Sequence, residues 1–437
     1  MATANTVQLQ LGQWPEYYRP GISNESTKKV SDLLQENHDK YHIFFNNEGF
    51  HNHIAHQLLT MWALKASPDQ LQREYTSNSS YQRPMMAPHS SIITDLHDPK
   101  KFIQHLGPED HYNDYLQFFH AEIEKHGWQE VLQQYLFAGD ERGETMLVRM
   151  YAGFLHPLIH LGFGIEFHQP AIIAEALAQA ACHDDWIKDL FFPAEKAAAS
   201  TPSAGTKSIA SILDSIRADK EIRSSVRFTD GNKIRDGLLA RAPEAIINQV
   251  SQVRVSPSDL AEKTAEMINS VAYYTGGSQN PSRAIKFDFF MMHSVNCSIF
   301  HSAFLKQDWL SDANKARLLE WKIRLDLVMY ASRGSPEIRM QDIKGYKPKQ
   351  PSGWEEVQDR VCAIDDDGHA AKLVRAIAHG AVVCTPYEGK EAFRLKGEDW
   401  LQLAHMAIDS VEGPESNWVR SAGFEEAWEN VPMRASL

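Results

Sequence analysis

Four histidine-bearing segments could carry the chemistry of this chain: FHNHIAHQLL (50–59), FLHPLIHLGFGIEF (154–167), FDFFMMHSVN (287–296) and GHAAKLVRAIAHG (368–380). Each is otherwise largely apolar, and a buried imidazole left without a partner costs about 1–3 kcal/mol. A single histidine of this kind is satisfied by a backbone carbonyl. Four such segments, far apart in the chain, point to one shared partner, and a metal ion is the partner that imidazole suits best.

Spacing refines the list. His53 and His56 are three apart and His156 and His160 four apart, so each pair falls on one helix face. Phe163 and Phe167 extend the second stripe, and Pro157 should kink that helix. His293 sits among Phe289, Phe290, Asn296 and Cys297, whereas His301 opens a more polar stretch and ranks lower. His369 and Lys372 are three apart, behind Asp365–Asp367, whose charges suit a helix N-terminus. The bland alternatives are core histidines bonded to carbonyls and a lysine whose stem lies along apolar surface with its head in water.

No aspartate or glutamate stands beside these histidines in the pattern of a two-histidine, one-carboxylate iron site. Glu166 is one candidate oxygen donor, although it lies off the His156/His160 stripe. Lys372 is another. A poorly solvated lysine beside a cation has a depressed pKa. Its neutral amine can add carbon dioxide and become a carbamate, an anionic oxygen ligand.

Other chemistries find no footing. HExxH, GxSxG, a Walker A loop and a GxGxxG turn are all missing. The net charge of −13 argues against nucleic acid and against a basic membrane-binding face. The four cysteines, Cys182, Cys297, Cys362 and Cys384, form no CxxC pair, which fits a reduced compartment. The N-terminus lacks the pattern of a signal peptide, and no apolar run reaches the roughly 18 residues that span a bilayer, so a cytoplasmic protein is expected.

The elements that must position these residues read as helices. Helical spacing covers 29–45, 51–65, 112–136, 144–163, 171–181, 234–249, 258–274, 287–305, 312–331, 369–383 and 398–411. VQLQL (7–11) is the best strand signal. Residues 195–209 and 333–352 read as loops, either lids or insertions. The expectation is an all-α chain, one large helical domain over 1–437, with a buried metal site.

Together, FHNHIAHQLL, HPLIHLGFGIEF, MMHSVN, LLEWKIRLDLVMYASRGSPE and HAAKLVRA resemble the fungal questin oxidase-like family, over about residues 14–411. The resemblance implies oxidative opening of anthraquinone-type aromatic polyketides, with a planar aromatic substrate and dioxygen as partners. It implies Fe2+ held by four histidines and a carboxylated lysine. Carried onto this chain, the ligands are His53, His160, His293, His369 and Lys372, with His56 and His156 as alternates or supporting donors. Lys372 and His293 are the expected catalytic residues, and Trp62, Phe163, Phe289 and Phe290 the expected walls for the substrate. Gln57 departs from the second consecutive histidine expected there, at a position that should face away from the metal. Two other readings compete. One is an NADPH-dependent Baeyer–Villiger oxidation without metal, and the other a helical scaffold that binds a pigment without reacting.

Overall fold

The computed structural model of the chain describes residues 1–413 and 417–434. It is mainly α. The strands among these residues are Phe287–Asp288 and Trp418–Val419, a parallel pair with Phe287 opposite Trp418. The principal helices are α1 (Asn24–Lys40), α2 (Ile54–Ala63), α3 (Pro68–Ser79), α4 (Tyr112–His126), α5 (Ala152–Glu166), α6 (Pro170–Ala181), α7 (Leu260–Gly277), α8 (Phe289–Ser298), α9 (Asp312–Ser332), α10 (His369–Cys384) and α11 (Asp399–Val411). No helix among the described residues is long and apolar enough to cross a membrane.

Most expected helices are present, and the differences have local causes. The stretch 112–136 is two helices, α4 and Trp128–Leu136, because Gly127 takes φ 80° between them. The stretch 144–163 divides into Glu141–Arg149 and α5. Helix α3 was not expected from its polar sequence, yet it starts with a capping box: Ser67 accepts from Gln70 N while the Gln70 side chain accepts from Ser67 N. The first loop begins later than expected, since residues up to Ala199 complete the helix Lys188–Ala199. The second encloses a short helix, Met340–Lys344.

VQLQL is extended but does not form a strand. Val7 and Leu9 are buried as the alternation requires, while the amides of Val7, Gln8 and Leu9 donate to Gln35 Oε1, Gln169 Oε1 and Ser31 Oγ at 2.8–3.0 Å. Side chains thus supply the acceptors that a neighbouring strand would have supplied.

The residues group into two compact units interleaved along the chain. The first comprises Met1–Ile187, Lys306–Leu310 and Cys362–Lys372; the second comprises Lys188–Leu305, Ser311–Val361 and Leu373–Leu437. In the first, α5 and α6 lie against each other and α6 against α4, while α1, α2 and α3 pack as a neighbouring trio. Residues 362–372 return to α3: Arg73 donates to Cys362 O, Ser77 to Asp365 Oδ1 and Asn78 to Asp366 O, at 2.9–3.1 Å.

In the second unit, α8 packs on α7 and α9. Its start is fixed by Asp288, which is fully buried: one carboxylate oxygen accepts from Phe290 N and Met291 N, the other from Ser421 N and Ala422 N, at 2.6–3.0 Å. The 333–352 segment is tied to Asp409, whose carboxylate accepts from the Tyr346 hydroxyl and Lys349 N, both at 2.8 Å.

Asp288→Ala would leave four amides without their acceptor. It should lower stability by about 3 kcal/mol or more, read as a shift in the urea midpoint. A midpoint within error of the parent would show that water or relaxation replaces the carboxylate.

Candidate metal centre

The first unit gathers three imidazoles whose donor atoms all lie within 4.8 Å of one another: His53, His156 and His369, each buried. They come from three elements. His53 is the N-cap residue of α2. The neighbouring Asn52 does the capping: its Oδ1 accepts from Ile54 N at 2.9 Å, and its amide donates to Asn37 Oδ1 at 2.8 Å. His369 is the first residue of α10.

His156 owes its place to a break in α5. Gly153, Phe154 and Leu155 take φ values of 53°, 57° and 71°, three consecutive left-handed residues of which two have side chains. Each non-glycine costs about 1–2 kcal/mol there. Pro157, expected as the source of a kink, follows the break by two residues and sits in the first turn of the helix that resumes beyond it. Gly153 itself is obligatory, because a Cβ there would lie 2.6 Å from His183 Cε1 and 2.9 Å from His51 Cε1.

Each of the three rings is held at Nδ1 by an oxygen. Asp367 serves two of them, with Oδ1 bonded to His369 Nδ1 and Oδ2 3.4 Å from His53 Nδ1. The carbonyl of Gly153 lies 2.5 Å from His156 Nδ1. With their protons directed to these oxygens, the rings keep their Nε2 lone pairs for a shared partner. His53 Nε2 and His156 Nε2 are 2.8 Å apart. Adjacent donors at about 2.1 Å from a first-row ion stand about 3 Å apart. A carboxylate behind a ligating histidine is the usual device for fixing tautomer and orientation. Gly368, at φ 88°, lets the Asp367–His369 turn approach α2, where a Cβ would meet Gln57 Oε1 at 2.5 Å. Gln57 therefore faces this turn, with its amide 3.4 Å from Glu74.

Lys372 completes the group. It is 4% exposed, and Nζ has no hydrogen-bond partner among the described residues. Burial pushes its pKa down to about 8, against the pull of Asp367 and Asp366. Its charge in turn helps burial to depress His53, to about 3, and His56, well below the ordinary imidazole value. Imidazole donors gathered beside an amine with no hydrogen-bond partner among the described residues fit a cation with an anionic ligand on Lys372.

The pairs divide differently from the sequence expectation. His156, not His160, stands with His53 and His369. Both nitrogens of His160 are engaged elsewhere, Nδ1 2.9 Å from His56 Nε2 and Nε2 2.6 Å from Glu175 Oε2. Glu175 Oε1 continues to His38 Nδ1 at 2.6 Å. The break at 153–155 turns His156 away from the helical stripe that spacing alone assigns to both residues. His56 stacks on Phe163 at 5.0 Å, and its Nδ1 has no partner among the described residues. Trp62 and Phe163 are about 1% exposed, and Trp62 donates to Thr27 Oγ1 at 3.0 Å, so neither presents a face to solvent. Glu166 is not in the group: its Oε1 accepts from Glu16 N at 2.8 Å. His293 lies in the second unit, its Nδ1 2.6 Å from Phe289 O, with Phe289 and Phe290 half-buried beside it.

Sequence reasoning missed three participants, Asp367, His51 and Glu175. Asp367 had been read only as a helix N-terminal charge. His51, in the same block as His53, stacks on His156 at 3.8 Å and meets His183 Nε2 at 2.9 Å. Glu175, a lone carboxylate in the apolar run IIAEAL, carried a visible signal.

The profile of the questin oxidase-like family matches residues 50–377. The chain is 40% identical to a Baeyer–Villiger oxidase (ptaJ) of Pestalotiopsis fici, over 99% of this chain and 100% of the relative. It is 39% identical to a questin oxidase of Aspergillus terreus, over 99% and 98%, and 41% identical to the oxidoreductase AflY of Aspergillus parasiticus, over 96% and 86%.

Two outcomes follow from the geometry. Asp367→Asn should weaken metal binding by about 10- to 100-fold, measured by competition with a chelator; an unchanged constant would remove Asp367 from its orienting position. The second concerns Glu175. Burial favours its neutral form, but the bonds to His160 and His38 outweigh this and hold the carboxyl well below its ordinary 4.5. Its contribution to stability is therefore complete above that value and lost as pH falls through the folded one. His38 is opposed by burial but raised above 6.5 by Glu175, so its contribution is present below 6.5 and lost as pH rises through the folded value. Glu175→Gln should flatten both limbs of a plot of thermal midpoint against pH, and an unaltered plot would show that the pair is uncharged.

Proposed function

The chain belongs to the questin oxidase-like family and is an oxidoreductase; on that footing, we propose that it uses ferrous iron and dioxygen to open the ring of an anthraquinone-type aromatic polyketide. The observation that carries the reading is the gathering of three imidazole donors within 4.8 Å of one another, near a buried lysine amine with no hydrogen-bond partner among the described residues. Imidazole sites accept zinc, copper, nickel and iron. Zinc has no redox chemistry, and an oxygenase that activates dioxygen on a bound ion needs one that changes valence. The substrate class rests on relatives named questin oxidase.

In this reading His53, His156 and His369 hold the ion, and Lys372 carries a carbamate whose oxygen is the anionic ligand. The amine attacks carbon dioxide, forms an N–C bond and releases one proton. The shift of Lys372 toward the neutral form makes that step accessible near neutral pH. Bound ferrous iron would supply the one-electron chemistry that lets dioxygen react with a closed-shell ring. The protein does the rest. Asp367 keeps the Nδ1 protons of two rings directed away from the ion, the Gly153 carbonyl does the same for the third, and burial keeps bulk water from all three.

Relatives that bear the name Baeyer–Villiger oxidase support a second reading, oxygen insertion driven by NADPH. Electron demand separates the two. Protein purified without added metal should contain iron near one equivalent and turn over without NADPH; strict dependence on NADPH in iron-free protein would favour the second reading.

Substitution then tests the ligand set. His156→Ala and His369→Ala should lose most of the iron, whereas His160→Ala should retain it. Iron retained in the first two, or lost only in the third, would restore the order expected from spacing. His293→Ala is the matching test for the second unit, where loss of iron would establish it as a ligand. Lys372→Ala should be inactive and should lack the carbamate carbon signal that 13C-bicarbonate gives in the parent protein. That signal, present in the variant, would place the carbamate on another lysine.

A further inference from the structure

The second unit holds two buried cations, Arg333 and Lys233, that make no direct bond to a carboxylate among the described residues; Asp288 acts on both, and Asp230 on Lys233, only through space. Arg333 is 3% exposed. Among the described residues its side chain makes one hydrogen bond, Nε to Ser332 Oγ at 3.1 Å, and no ion pair; its guanidinium lies over the ring of Phe290 at 4.3 Å. Lys233, 7% exposed, donates to two carbonyls, Phe228 O and Asp230 O. Burial and the charge of Arg333 together push the Lys233 amine down, so the two cations repel each other. Arg420, which is exposed, lies over Phe289 at 5.0 Å.

The carboxylates that act on these cations are already committed. Asp288 accepts from four backbone amides. Asp230 is bonded to Arg241 and accepts from Arg227 N at 2.8 Å. A buried, unpaired cation is costly in any protein, and its retention in a chain of net charge −13 calls for a ligand. The surroundings describe that ligand. Phe289 and Phe290 are half-buried and set edge to face at 5.5 Å and 84°, and the Phe289 ring lies 4.8 Å from that of His293.

We propose that Arg333 and Arg420, with the Phe289–Phe290 pair, form a subsite for the ionised oxygen of a flat aromatic substrate, the phenolate of a hydroxyquinone. The rings offer stacking surface to the aromatic system. Arg333 donates charge-assisted hydrogen bonds to the phenolate, and the charges of Arg420 and Lys233 add to the same field. The subsite deepens the ring-opening reading above by specifying which substrates are accepted: those with a free, acidic hydroxyl next to the quinone rather than their O-methylated counterparts.

The test uses the full-length protein as purified, with iron content measured in parallel so that failure of the metal assignment is seen separately. 1,8-Dihydroxyanthraquinone is titrated in, its binding followed by fluorescence quenching and its ionisation by the red shift of its visible band. The parent should bind it as the phenolate at a pH where the free dye is neutral. Arg333→Met should weaken binding by about 10- to 100-fold, the range for a hydrogen bond to a charged group, and abolish the red shift. The di-O-methyl analogue should bind parent and variant alike. Because Arg333 is buried and makes no ion pair among the described residues, Arg333→Met should also melt no lower than the parent. Equal binding of the dye to both proteins would overturn the proposal, as would a variant that melts well below the parent, which would make Arg333 a structural cation. Loss of NADPH binding in the variant with dye binding intact would also overturn it, by assigning the charge to a nucleotide phosphate.

Discussion

The candidate centre depends on one carboxylate. Asp367 is bonded to the Nδ1 atoms of His53 and His369, residues from distant parts of the chain, and so fixes the direction in which both rings present their other nitrogen. Burial opposes its charge, but the two histidines hold the Asp367 carboxyl well below the ordinary range. The surrounding backbone serves this contact. Gly368 admits the turn to the face of α2, Asn78 anchors that turn by donating to Asp366 O, and Asn52 sets the start of α2. Without the carboxylate the two imidazoles could rotate or exchange tautomers, and the third, on α5, would have nothing to converge with.

Much of this was legible in the sequence, because the relevant signals were chemical. Histidines in apolar blocks marked the site, and the lysine three residues after His369 marked a possible anionic ligand. The helices followed from periodicity wherever one face is apolar. What spacing could not reveal was backbone that leaves the helix. Three left-handed residues at 153–155 separate His156 from the stripe it shares on paper with His160, and no helical projection anticipates them. The extended VQLQL segment misled for a related reason: alternation reports burial on one side, not the identity of the acceptor on the edge. Asp367 was visible but was credited only with a helix-terminal charge, since its bond to His53 joins residues that no sequence window contains.

The three rings are part of a larger histidine lattice in the first unit. His51 and His183 extend it on one side, and His56, His160, Glu175 and His38 on another. Burial lowers the pKa of His183 to about 4, as it does for His120 near His38. Burial likewise holds His53 at about 3 and His56 well below the ordinary imidazole value, while at His38 burial is outweighed by the hydrogen bond to Glu175, which raises it. Neutral rings keep their lone pairs, which a ligand set requires.

The break in α5 also limits how far such a site can be moved. Grafting four side chains onto the helices of another protein would not reproduce it, because His156 reaches its place through a backbone path that ordinary helices and turns do not offer. The path tolerates no side chain at its first position and stores strain at the next two, so it survives only where His51 and His183 pack against it. The transferable unit is the loop with its histidine neighbours, and a designer who copied the coordinating atoms alone would copy the visible part of a larger object.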